Sequence, residues 1–142
     1  MQNWNIYPYK GIGNILFGNS RCQIRNILSN IPCKEFWKTT DSKNSTDQYD
    51  SIGVLIYYTS DNICEAIEFY EPASPFFDRK NLLQLSYNNL IGWFKTLDTE
   101  IEEDEVGFTS YKLGISCYTP DKEEDISCLA ESILIFQHSY FD

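Results

Sequence analysis

Side chains able to do covalent or metal chemistry are few in this chain of 142 residues. There is one histidine, His138, and there are five cysteines: Cys22, Cys33, Cys64, Cys117 and Cys128. A thiol–imidazole dyad needs the two groups side by side, and a zinc site needs ligands in short-spaced pairs. Cys128 and Cys117 precede His138 by 10 and 21 residues and no C-x-x-C pair occurs, so His138 reads as a strand-end residue. The thiols fall mostly in apolar stretches and read as small core side chains. Cys22, with Arg21 and Arg25 nearby, has a basic setting of the kind that lowers a thiol pKa, but a helix at that place accounts for the spacing more simply. Gly11, Gly13 and Gly18 lack the G-x-G-x-x-G order, and no Lys-Ser/Thr pair of a phosphate loop follows them. These glycines serve turns. No catalytic constellation emerges, and no residue set calls for a cofactor or a metal.

What the chain does concentrate is carboxylate. It carries 21 acidic and 11 basic residues, a formal charge of −10. Residues 1–80 hold 9 acids and 8 bases, whereas residues 81–142 hold 12 acids and 3 bases. Two runs dominate the second part. One contains Asp98, Glu100, Glu102, Glu103, Asp104 and Glu105; the other contains Asp121, Glu123, Glu124 and Asp125. Neither has the alternating ligands and central glycine of a calcium loop, and consecutive loop acids lack the enclosed setting of a glycosidase pair. Such a surface repels nucleic acid and favours encounter with a basic protein. These ten carboxylates are the candidate partner-binding residues. A nuclease is one such partner, since its cleft must be positive to hold phosphates. The odd cysteine count argues for free thiols and a cytoplasmic setting. No apolar run is long enough for a membrane span, and the N-terminal segment lacks the pattern of a secretory signal.

The elements that position these acids follow from periodicity. Residues 12–18 read as a strand, with Gly18 at a turn into a helix capped by Asn19 or Ser20. Ile24, Ile27, Leu28 and Ile31 form the helix stripe, and Pro32 ends it. Residues 38–50 are polar and rich in turn formers, so a loop is expected. Residues 52–58 and 63–70 read as a hairpin about Ser60-Asp61-Asn62. Pro72 and Pro75 mark a joint. The second half repeats the plan: a short apolar stretch over 82–85, a helix started by Ser86 or Asn88 and carrying Leu90, Ile91, Phe94 and Leu97, an acidic loop, and strands over 108–118 and 131–137. Tyr58-Thr59-Ser60-Asp61 aligns with Tyr118-Thr119-Pro120-Asp121 at a shift of 60, and Glu65-Ala66-Ile67 aligns with Glu131-Ser132-Ile133 at a shift of 66. The expectation is one α+β domain over residues 1–142, an antiparallel sheet with two packed helices. It is built of two strand–helix–strand–strand halves, 1–71 and 76–142. Ile24, Ile27, Leu28, Ile91 and Phe94 should be buried. In this plan the two acidic runs lie at opposite ends of the sheet, roughly 25 Å apart for a strand of about eight residues. The 121–125 run is then the favoured surface, because the extra residues of the second half fall there.

The opening segment Gly11-Ile12-Gly13-Asn14-Ile15-Leu16-Phe17-Gly18-Asn19-Ser20, followed by Ile24-Arg25, resembles the G-I-G-x-I-x-F-G start of small bacterial proteins encoded beside toxins. It is similar to immunity proteins of contact-dependent growth inhibition and related polymorphic toxin systems. The resemblance covers about ten residues, supported by size, charge and the doubled plan. It implies a cytosolic protein that neutralises one cognate toxin, commonly a nuclease, by direct binding, and a scaffold similar to Whirly-type domains. It assigns no contact residue, since those differ between toxin pairs. The alternative reading is an intracellular module that binds another protein or a small ligand.

Overall fold

Three two-residue strands, β1 (Ile6–Tyr7), β2 (Gly11–Ile12) and β3 (Ile15–Leu16), form a small antiparallel sheet in the computed structural model, which describes residues 4–141. The single strand expected over 12–18 is therefore two strands and a turn. Gly11 is required by close approach: a Cβ there would lie 2.2 Å from the Ile15 carbonyl oxygen. Gly18 sits at the turn into the helix, as expected. Its φ of +94° is what favours glycine, because a Cβ would meet nothing within 4 Å.

Helix α1 (Arg21–Ile27) begins on a capping box, in which Ser20 Oγ accepts from Gln23 N at 3.1 Å and Gln23 Oε1 accepts from Ser20 N at 2.8 Å. Ile24 and Leu28 are buried, whereas Ile27 is only half-buried at the margin of the core. A four-strand meander follows: β4 (Lys34–Phe36), β5 (Thr46–Tyr49), β6 (Val54–Tyr58) and β7 (Cys64–Phe69). The expected 38–50 loop thus ends inside a strand. A connection through Pro72 leads to the hairpin β8 (Phe76–Phe77) and β9 (Lys80–Asn81), then to a 3-10 turn over Leu82–Gln84 where a short strand was expected. Helix α2 (Tyr87–Leu97) buries Leu90, Ile91 and Phe94. The second meander is β10 (Glu102–Asp104), β11 (Gly107–Ser110), β12 (Ile115–Tyr118) and β13 (Ser132–Phe136).

The two meanders join through their last strands into one eight-stranded antiparallel sheet, in the order β10-β11-β12-β13-β7-β6-β5-β4. Each half is therefore a helix followed by four strands rather than strand–helix–strand–strand. The halves are related by a pseudo-two-fold axis through the paired residues Glu68 and Leu134. Ser20 bridges to Ile63 and Ser86 to Leu129, so each helix start docks against the entry of the last strand of its half. The equivalence of β7 and β13 keeps the shift of 66. That of β6 and β12 is one residue off the alignment: Ala66 pairs with Tyr57, while Ser132 pairs with Tyr118. Beyond that pair β7 carries a bulge: Glu65 is an extra residue between the partners of Tyr57 and Tyr58. Stripes from both helices and the inner sheet face (Val54, Ile56, Ile67, Phe69, Ile133 and Ile135) share one hydrophobic core. No helix among the described residues is long and apolar enough to cross a membrane.

Candidate functional site

The geometry of the acidic runs departs from the sequence expectation. The loop leaving α2 spans only Asp98 to Ile101, and the rest of the run is β10, which folds back along β11. Asp104 pairs with Gly107, and Gly107 pairs with Tyr118. The turn at Glu105 and Val106 therefore lies beside the start of the 119–131 loop, where Thr119 N donates to Val106 O at 2.5 Å. The end of the first run, Asp104 and Glu105, thus meets the second run, whereas Asp98, Glu100 and Glu102 stay toward the opposite end beside Tyr111 and Lys112, where the sequence expectation put them. A strand hidden in consecutive acids reverses the direction of the chain, and that reversal is the physical reason.

Lys122 ties the runs together. Its Nζ lies 3.2 Å from Glu103 Oε2 and 3.4 Å from Glu123 Oε1, and 5.2 Å from the centre of the Tyr87 ring. The Tyr87 hydroxyl donates to Glu103 Oε2 at 2.9 Å. Burial alone would raise the Glu103 carboxyl, but the Tyr87 hydroxyl and the Lys122 ammonium outweigh it and hold it below the ordinary carboxylate value. The loop also closes the start of α2. Tyr87 N donates to Cys128 O at 2.8 Å and Asn88 N to Ile126 O at 3.0 Å, so the amides that a cap would satisfy are bound by the loop backbone. Ser86 makes no side-chain cap; its hydroxyl donates to Asn88 Oδ1 instead.

The ten carboxylates divide by environment. Asp98 is 4% exposed and belongs to the fold: Oδ1 accepts from Glu100 N at 2.9 Å and Oδ2 from Ser110 Oγ at 2.7 Å. The Glu100 amide is the main reason its carboxyl is held below the ordinary value. Asp98 is thus withdrawn from the candidate surface. Asp104 accepts from Val106 N, and Asp125 from Ser127 N and Oγ, so these two shape their turns while staying exposed. Glu100, Glu102, Glu103, Glu105, Asp121, Glu123 and Glu124 are all exposed. Four large apolar side chains that the charge pattern did not reveal share the end of the 121–125 run: Val106 is 41% exposed, Tyr118 44%, Ile126 57% and Leu129 53%. The one available signal was an isoleucine and a leucine inside an otherwise polar loop.

The equivalent places of the first half are built differently. Arg21, the counterpart of Tyr87, is buried and donates to Asp47 Oδ1 at 2.7 Å; Arg25 donates to the same oxygen at 2.7 Å. Arg25 also donates to Glu35 Oε1 at 3.0 Å, and Ser45 Oγ to Glu35 Oε2 at 2.7 Å. Where this half packs ions over Asp47, the other packs the rings of Tyr87, Phe94 and Phe108. Of the aromatic residues 36, 37, 76 and 77, Trp37 is 61% exposed, whereas Phe77 packs on Trp93 and Phe94 within the core. His138 is exposed and stacks on Tyr9 with ring centres 3.7 Å apart. No family model, curated protein or solved structure matches this chain.

Proposed function

We propose that this chain is an immunity protein that binds a basic toxin domain, of the kind a nuclease cleft presents, and blocks it by occlusion. The observation that carries the reading is that Glu103, Asp104 and Glu105 meet the 121–125 run at the end of the sheet where Val106, Tyr118, Ile126 and Leu129 are exposed. Exposed apolar side chains rimmed by charge are the anatomy of a specific protein interface. The acids supply steering, which speeds association. The apolar side chains supply the water-excluding contact that slows release. The opening segment resembling Gly-Ile-Gly-x-Ile-x-Phe-Gly lies in β2, β3 and their turns, so it serves the scaffold and not this surface.

The test is co-expression with the product of the gene immediately upstream. The reading expects a stable complex, cell survival only when both are made, and an association rate that falls steeply with salt. Absence of a complex with a toxic neighbour overturns it. So does a complex that is indifferent both to Ile126→Asp and to replacing Glu123 and Glu124 by serine.

A further inference from the structure

At the far end of the sheet from the 121–125 run, residues 38–46, the last residues of β6 and Tyr140 line an open cavity of about 360 Å³. This is the scale of a site for a small organic group. Lys38, Lys43, Tyr57, Tyr58, Glu65 and Tyr140 contribute its walls. The second half has no counterpart: its β10–β11 turn is short, and Glu131, the equivalent of Glu65, is exposed.

One buried carboxylate, that of Glu65, contributes to the wall of this cavity. Glu65 is the extra residue of the bulge in β7, and bulges re-aim side chains. It is 2% exposed. Lys43 Nζ lies 2.8 Å from Oε1, an ion pair that uses one of the roughly four acceptor sites of the carboxylate. The Tyr58 ring belongs to the core under α1, with the Arg21 guanidinium 4.5 Å from its centre, so its hydroxyl is not among the acceptors of this cavity. A buried acceptor left short of donors is costly unless something supplies them. Tyrosine rings frame the same space, and the Tyr57 ring already carries the Lys38 ammonium at 4.8 Å. Lys43 itself has a side chain 59% exposed and can leave for water once another cation takes its place beside the buried Glu65.

We propose that this cavity binds a guanidinium group, with Glu65 as its ion-pair partner, the Tyr57 and Tyr140 rings as its walls, and Lys43 as a tethered ammonium that the ligand displaces. A guanidinium fits better than an ammonium because it is flat, stacks on aromatic rings, is weakly hydrated and offers several donors in a fixed fork. The proposal does not rest on the toxin reading, since the cavity and the 121–125 run lie at opposite ends of the sheet.

Agmatine is the probe, titrated into the full chain and followed by calorimetry and by amide shifts. Saturable one-to-one binding is expected, about tenfold or more tighter than that of n-butylamine, which keeps the cation but not the fork. Lys43→Ala should strengthen agmatine binding a few-fold by removing the internal competitor. Glu65→Gln should weaken it about tenfold or more. Blocked arginine, acetylated and amidated, separates the sources. Binding as tight as agmatine's supports an arginine side chain of a partner, and agmatine preferred supports a free small molecule. No saturation by about 10 mM agmatine overturns the proposal. So does butylamine binding equally well, or Lys43→Ala leaving the affinity unchanged. The last variant changes only an exposed side chain, so it remains decisive if Glu65→Gln fails to fold.

Discussion

Asp47 shows how much one side chain can hold. Burial would raise its carboxyl, but hydrogen bonds from Arg25 and Arg21 win and keep it below its ordinary value of 3.8. The unfolded chain therefore binds that proton more readily than the folded one. The stabilisation is complete above the ordinary value and is lost as pH falls through it toward the folded value. Asp47→Asn should flatten the acid limb of a stability–pH curve measured by urea unfolding. Asp47→Ala, which leaves two guanidinium groups facing an empty site, should cost about 3–5 kcal/mol. The thiols give an independent check at the same scale. Cys22 and Cys33 are exposed, while burial pushes Cys64 and Cys117 up to about 12. A disulfide-forming thiol reagent at neutral pH should label Cys22 quickly and Cys33 more slowly, because burial raises the Cys33 thiol. The half-buried Cys128 should follow more slowly, and Cys64 and Cys117 should react only on unfolding, giving five titratable thiols in all.

Helices were legible in the sequence because their stripes obey a period that few other structures share. Ile24, Leu28, Leu90 and Phe94 sit where that period puts them. Phe94→Ala empties a site bounded by Phe77, Trp93 and Phe108 and should cost about 3–5 kcal/mol in chemical denaturation. Ile27→Ala, half-buried, should cost clearly less. Strands β5 and β10 were not legible. In β5 the inward position is an aspartate, acceptable only because α1 delivers two arginines to it, and no local pattern announces a partner that far along the chain. In β10 every residue is an acid, and its inward Glu103 is satisfied by Tyr87 and Lys122 from two other elements. The candidate acids were found by composition, but the meeting of Asp104 and Glu105 with the second run was not. It depended on seeing the reversal at β10, and the apolar side chains among them carried no periodic signal.

The whole molecule is two similar halves whose loops are unequal. One half spends its long loop on the 37–45 stretch beside the cavity, the other on 119–131 beside the acids. Charge is correspondingly lopsided, so steering should act through one end. Under the proposed function, replacing Asp104 and Glu105 by serine should slow association with the basic partner and flatten its salt dependence to the same degree as replacing Glu123 and Glu124, because both pairs occupy one end of the sheet. Stopped-flow rates at several salt concentrations check this, and sensitivity of only one pair contradicts it. The sheet's order has a further consequence, for self-association. Joining the halves through β7 and β13 leaves β4 and β10 as the outermost strands. Each offers an unpaired row of backbone groups, which is a template for another chain. β10 meets that hazard with three adjacent exposed carboxylates, Glu102, Glu103 and Asp104. Two copies approaching edge to edge bring six negative charges together, so the run acts as a gatekeeper against ribbon growth whether or not a partner is present. Glu102→Thr with Asp104→Thr should leave the monomer folded yet raise light scattering with concentration, most strongly at high salt.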